Sequence, residues 1–256
     1  MCLILIAWQQ HPEYPLVIAA NRDEFFQRPT LAAHWWSRPP GILAGRDLEA
    51  GGTWLGLTRS GRFAALTNYR DPSQHRPGAP SRGALVRDCL LGEQDTEGTL
   101  ARIAAQSTRY AGFNLIFSDG QRLGVHESTT GRIRLLAPGC YGLSNHLLDT
   151  PWPKLTLARE RFGAALNGLP GTRDMLQLLT DDRPAPAHAL PNTGVSADWE
   201  HWLSSVFVRA PGYGTRCSTL VTLSRTGQAS FREWSWDEAG TLAGDMAYSF
   251  FTEQPG

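Results

Sequence analysis

A chain of 256 residues carries 24 Lys+Arg against 24 Asp+Glu, so its formal net charge is zero. That balance argues against nucleic acid or an anionic membrane as the principal partner, since both require a basic surface. Hydrophobic residues at 41% and charged residues at 19% predict a packed core, and 26 Gly, 17 Pro and nine Trp favour strands joined by tight turns over a helix bundle.

Residues 3–8 read as a short apolar strand with no basic residue before it, and Gln9, Gln10 and His11 interrupt the run before it could form a signal segment. No later window reaches membrane-spanning length, so no integral membrane segment is expected and the chain is expected in the cytoplasm. Residues 14–20 form a second strand. A hairpin centred near His11 then brings position 2 back against positions 21–22, setting Cys2 beside Asn21, Arg22, Asp23 and Glu24. Residues 53–58 and 62–68 pair around the turn Ser60-Gly61, and the Pro-rich stretch 71–80 is a loop. Helices are expected from Ser81 to Leu91 and from Thr96 to about Ser107. Strands follow at 112–117 and 122–126, then at 133–136 and 141–144. Thr150-Pro151 reads as a helix start, with Leu155, Ala158, Phe162 and Ala165 at helical spacing and Gly168 as the stop. Thr172 opens a shorter helix through Leu179, and residues 181–194 form a surface loop. Residues 216–223 pair with 229–236 around Thr226-Gly227, before a last strand at 246–251. Without regular strand–helix alternation a doubly wound nucleotide fold is disfavoured, and one α+β domain over residues 1–256 is the economical organisation.

Cys2, Cys89, Cys140 and Cys217 lie far apart with no Cys-x-x-Cys pair, which argues against a zinc site or a disulfide framework. The seven His are scattered singly, so no metal is expected. The chemistry concentrates at Cys2. Cysteine is small enough for Met1 to be removed, which would leave Cys2 with its thiol and a free α-amine on one residue. That amine titrates near ~7.7–8.0 and a free thiol near ~8.5, so the amine is a neutral base at cellular pH beside the sulfur it deprotonates. Arg22 nearby favours the thiolate. The alternative is that Cys2 simply begins a buried strand. Asn68 and Asn145 each follow a strand, where asparagine is depleted, and amide donors there suit an oxyanion hole. A turn asparagine bonded to its own backbone is the alternative at either position. Gly142 to His146 lacks the second Gly of a serine nucleophile elbow, and Gly212-Tyr213-Gly214 lacks the third Gly of a dinucleotide loop. Trp35, Trp36, Trp199 and Trp202 either pack a core or line an apolar pocket.

Several segments carry a resemblance in order along nearly the whole chain. They are Ala19-Ala20-Asn21-Arg22-Asp23-Glu24-Phe25, Gly51-Gly52-Thr53-Trp54-Leu55-Gly56, Ala65-Leu66-Thr67-Asn68-Tyr69, Tyr141-Gly142-Leu143-Ser144-Asn145, Thr150-Pro151-Trp152-Pro153-Lys154 and Pro211-Gly212-Tyr213-Gly214-Thr215-Arg216. Together they resemble the NRDE-motif family, the transport and Golgi organisation protein two homologues. That family is similar in turn to N-terminal-nucleophile hydrolases of the bile-salt hydrolase and penicillin V acylase group, which cleave non-peptide amide bonds. The resemblance implies a four-layer αββα sandwich. It matches Cys2 to the nucleophile, Arg22 to the arginine beside it, Asn68 and Asn145 to the asparagines around the oxyanion, and Arg216 to a late arginine close to the cysteine. The acylases place their aspartate three residues beyond the arginine, where this chain has Phe25. Asp23 and Glu24 are therefore the two candidates for that role, with Asp23 taken to bind the α-amine.

Two functions are compatible with this reading. One is a cysteine amidohydrolase acting on a small-molecule amide, with no cofactor required. The other is a non-catalytic protein that binds or traffics haem or lipid on the same fold, since fold does not fix function. Haem would need an apolar cleft and a Cys, His or Tyr ligand, and no spacing in the chain marks one.

Overall fold

The computed structural model describes residues 2–253 except 75 and 77. Strand β1 (Cys2–Trp8) is buried at all seven positions, because its sheet is covered on both faces. It pairs antiparallel with β2 (Leu16–Phe25), and the register sets Cys2 opposite Arg22. The expected hairpin is present, and β2 runs five residues further than the apolar pattern indicates, through Asn21-Arg22-Asp23-Glu24 to Phe25.

Beyond β2 the chain forms a meander of β3 (Thr30–Trp35), β4 (Ile42–Asp47), β5 (Leu55–Thr58) and β6 (Phe63–Asn68), with Gly61 at φ +79 in the turn before β6. Helices α1 (Gly83–Leu91) and α2 (Thr96–Gln106) follow. Asp95, rather than Thr96, caps α2, accepting from the Gly98 N–H at 2.8 Å. The meander continues through β7 (Phe113–Ser118), β8 (Leu123–Glu127) and β9 (Arg132–Leu135), giving one sheet in the order β3-β4-β5-β6-β7-β8-β9. The second sheet has the order β10-β1-β2-β12-β13-β14, built from β10 (Gly139–Leu143), β12 (Tyr213–Leu223), β13 (Gln228–Trp236) and β14 (Leu242–Phe251), with the short β11 (Arg209–Ala210) on β12. Between β10 and β11 lie α3 (Pro153–Ala165), α4 (Arg173–Leu179) and α5 (Ala197–Trp202).

Three apolar layers hold these elements. Ile4, Ile6, Ile18, Leu43, Leu57, Phe63, Ile116 and Val221 pack between the two sheets. Leu3, Leu5, Val17 and Ala19 face Phe162, Leu178 and Leu179 of α3 and α4 on one outer side. On the other outer side Leu66, Phe113, Leu115 and Phe117 pack against Val86, Leu90, Leu100 and Ile103 of α1 and α2. The architecture is the four-layer αββα sandwich that the resemblance implies.

Several boundaries differ from the sequence reading. Thr150-Pro151 does not start α3. The helix begins at Pro153, which occupies the first turn after Trp152, while Thr150 Oγ1 donates to the Leu147 carbonyl at 2.8 Å. Strands β3 and β4 were not expected, and α5 lies just beyond the expected loop, capped by Ser196. Among the described residues no helix is long and apolar enough to cross a membrane.

One close approach fixes the wall of the later site. A Cβ on Gly52 would lie 2.5 Å from the Gly83 carbonyl carbon, so the turn before β5 meets the start of α1 backbone to backbone. Gly52→Ala should therefore cost on the order of 2 kcal/mol in urea denaturation, as overpacking against backbone does. Gly163→Ala, in α3 with open space around its Cβ, should instead stabilise by about 0.5–1 kcal/mol.

Candidate active site

Side chains alternate along a strand, so the Cys2–Arg22 register decides what each residue meets. Even positions of β1 and β2 face the space between the sheets and odd positions face α3 and α4. Cys2, Arg22 and Glu24 accordingly line a cavity of about 580 Å³ at the end of the sandwich. Arg22 reaches the Glu24 carboxylate at 3.8 Å. Asn21 and Asp23 point the other way. Asn21 Nδ2 donates to the carbonyls of Leu179 and Val206, at 2.8 and 2.9 Å.

Asp23 is 1% exposed, and its Oδ1 accepts from Thr215 Oγ1 at 2.8 Å. Burial pushes its carboxyl above the usual carboxylate range, while the amino end of the chain and the Lys154 ammonium pull it down. Of the two candidates for the acylase aspartate, Glu24 lines the cavity with the thiol, whereas Asp23 is buried against Thr215. Burial also pushes the Cys2 thiol up to about 11, against the amino end and Arg22, which lower it. At rest the proton stays on sulfur.

The two asparagines are brought together but are used differently. Asn145 is fully buried and its carboxamide is committed. Oδ1 accepts from the Cys2 backbone nitrogen at 3.3 Å, and Nδ2 donates to the Asn68 carbonyl at 3.0 Å. The Arg70 N–H donates back to the Asn145 carbonyl at 2.7 Å, stitching the segments 68–70 and 144–146 together. Asn68 is among the residues that line the cavity. Ser144, set aside as a nucleophile, is buried and donates to the Cys2 carbonyl at 3.1 Å.

Arg216 is not brought into the cavity lining. A β-bulge explains this. Thr215 pairs with Asp23 and Cys217 with Arg22, leaving Arg216 as the extra residue between them. Its guanidinium donates to the carbonyls of Phe25 and Arg28, at 2.8 and 3.0 Å, and so braces the turn that carries Arg28 and Thr30 into the cavity wall. The late residue beside the thiol is Cys217, which shares Arg22 as its cross-strand neighbour with Cys2.

Other parts of the site carried no signal in the sequence. Arg82, just before α1, is held by one bond from Nη1 to the Gly112 carbonyl at 3.0 Å, and the Cys2 thiol lies within its electrostatic reach. Glu233 of β13 lines the same cavity, accepts from the Ala33 N–H at 2.7 Å, and is pushed up by burial. Trp54, not the four tryptophans singled out, contributes an aromatic wall. Lys154, the single lysine of the chain, is 5% exposed and its Nζ donates to the Leu203 carbonyl at 2.8 Å. Among the described residues no group of three or more His, Cys, Asp or Glu is arranged to hold a metal ion.

The arrangement sets Cys2, Asn68 and the arginines Arg22 and Arg82 around one cavity, with the Cys2 nitrogen held by the Asn145 amide oxygen. Asn145→Ala would strip the Cys2 nitrogen of its acceptor and the Asn68 carbonyl of its donor. It should cost about 1–3 kcal/mol in urea denaturation, as orphaned buried polar groups do.

Among known proteins, the family described as TANGO2: Transport and Golgi organisation 2 matches residues 1–238. The Bos taurus Transport and Golgi organization protein 2 homolog is 37% identical over 261 residues, covering 92% of this chain and 93% of the relative. The Mus musculus homolog is 35% identical over 277 residues, covering 99% and 100%. Among solved structures, a conjugated bile acid hydrolase from Clostridium perfringens aligns over 99% of this chain and 98% of its own, at 11% identity and a TM-score of 0.43.

Proposed function

The chain belongs to the Transport and Golgi organisation 2 family, and we propose that it is a cysteine N-terminal-nucleophile amidohydrolase that cleaves a non-peptide C–N amide bond. The observation that carries this reading is the head of β1. There Cys2 lines the cavity beside Arg22, while the Cys2 nitrogen is held 3.3 Å from Asn145 Oδ1.

Once Met1 is removed, the Cys2 α-amine takes the proton from Sγ as sulfur attacks the amide carbonyl. The carbonyl π pair moves to oxygen, and Asn68 Nδ2 is the cavity-facing donor that supports the oxyanion. The α-ammonium returns the proton to the leaving nitrogen as the C–N bond breaks, leaving a thioester on Cys2. Water then loses a proton to the amine and attacks the thioester. Acid and thiol are released together, the thiol regaining that proton. Arg22 and Arg82 are the cations that answer charge on sulfur or on the substrate. Arg216 acts only through the turn it braces.

The haem- or lipid-binding alternative receives no comparable support. None of the described cavity-lining residues is His or Tyr, so a haem there would have to take Cys2 or Cys217 as its ligand.

The test is turnover of a panel of N-acyl amides by wild type and Cys2→Ala. Wild-type rates should rise with pH through about 8, where the amine loses its proton. Cys2→Ala should lose activity by on the order of 10³-fold or more with an unchanged melting temperature. Equal rates in both proteins would overturn the proposal.

A further inference from the structure

We propose that Arg46 and Arg82 form an anion subsite of the cavity, so that the amide the protein cleaves carries a carboxylate. That the ligand is an amide rests on the amidohydrolase reading above. The chain as a whole has zero net charge. The cavity does not share that balance: Arg22, Arg28, Arg46, Arg76 and Arg82 line it against three carboxylates, Glu24, Asp47 and Glu233.

Those carboxylates are unevenly shared. Asp47 Oδ2 accepts from Arg28 Nε at 2.8 Å, and Arg28 also reaches Glu49 at 2.8 Å. Glu24 lies 3.8 Å from Arg22, and Glu233 spends one oxygen on the Ala33 N–H at 2.7 Å. Among the described residues no carboxylate lies within ion-pair distance of Arg46, Arg76 or Arg82. Arg46 and Arg82 are nevertheless half-buried. A cation taken partly out of water without a counter-charge is costly, so two of them beside one cavity point to an anion supplied by a ligand.

The fold holds these two arginines at one place. The Asp47 N–H donates to the Gly52 carbonyl at 2.9 Å, the Thr53 N–H donates to the Gly83 carbonyl at 3.3 Å, and Gly52 meets Gly83 backbone to backbone. Arg46 and Arg82 each precede a residue of that contact, one near the end of β4 and the other just before α1. Both side chains are anchored by contacts that use little of their donor capacity. Arg46 stacks on Trp36, its Cζ 4.7 Å from the ring centre, and stacking leaves the N–H edge of a guanidinium open. Arg82 commits Nη1 to the Gly112 carbonyl at 3.0 Å, one donor of the guanidinium's several. A carboxylate is a planar acceptor that such edges take with paired hydrogen bonds. Trp54 and Leu66 belong to the same lining and supply apolar surface for the rest of the ligand.

The experiment measures binding to the full chain carrying Cys2→Ala by isothermal titration calorimetry, which needs no turnover. The probes are N-benzoylglycine and N-dodecanoylglycine, each paired with its neutral primary amide. At least one acid should bind about 10- to 100-fold more tightly than its amide, and the gap should narrow at high salt. Arg46→Gln and Arg82→Gln should each remove most of that gap and leave the affinity for the amide unchanged. A merely structural role would weaken acid and amide alike. Arg173→Gln, at an exposed arginine outside the lining, should leave the gap intact. No acid binding more tightly than its amide, or a gap that survives both substitutions, would overturn the proposal. Inorganic phosphate displacing the acid at equal concentration would also overturn it, because the subsite would then take a free anion. Should neither arginine variant fold, the acid–amide comparison in Cys2→Ala decides alone. Failure of the underlying reading looks different: the acid would still bind through the arginines, but the wild-type protein would not hydrolyse it.

Discussion

The pairing of Cys2 with Arg22 is the constraint on which the rest of the site depends. With a side-chain period of two, that register sends Cys2, Arg22 and Glu24 into the space between the sheets and Asn21 and Asp23 toward the helices. A slip of one residue would exchange the two sets, burying an arginine among apolar helix residues and turning Asp23 into the cavity. Asn21 makes such a slip costly, because its side chain holds the carbonyls of Leu179 and Val206 and accepts from Ser218 Oγ at 2.7 Å. The register is therefore set twice, by apolar alternation further along β1 and β2 and by buried hydrogen bonds at the motif itself.

The same period accounts for the two sides of the chemistry. Cys2, Arg22 and Glu24 lie in the cavity, while Asn21 and Asp23 point to the other face of the sheet. The bulge at Arg216 completes this division. By inserting one residue it turns Thr215 toward Asp23 while keeping Cys217 toward Arg22. The buried Arg70–Glu200 pair behind the sheet is a poor source of net stability, but it fixes the segment that carries Asn68 and Asn145.

Much of the fold was legible because most strands carry a clear apolar pattern and end at glycine turns such as Gly61 and Gly227. Strand β3 was not, because a register shift between Leu31 and His34 breaks its alternation. Helix α5 has six residues, too few for a period to emerge. Within the site, Cys2, Arg22, Asp23, Asn68 and Asn145 were legible as residues, and Cys2, Arg22 and Asn68 line one cavity. Their bonding was not: nothing in the chain indicates that the Asn145 carboxamide is taken up by the Cys2 nitrogen and the Asn68 carbonyl. Arg216 sits in a bulge between Thr215 and Cys217 and braces the turn after β2, and a bulge leaves no mark on composition. Arg82, Cys217 and Glu233 reach the cavity from distant elements.

The central claim is that Cys2 is the mature amino terminus and that its thiol is activated there. The most direct measurement is the intact mass of the purified protein, followed by brief alkylation near pH 7 and peptide mapping of all four cysteines. The account predicts a mass lacking Met1 and labelling at Cys2 well ahead of Cys89, Cys140 and Cys217. Retention of Met1, or a Cys2 that labels no faster than the other three, would contradict it.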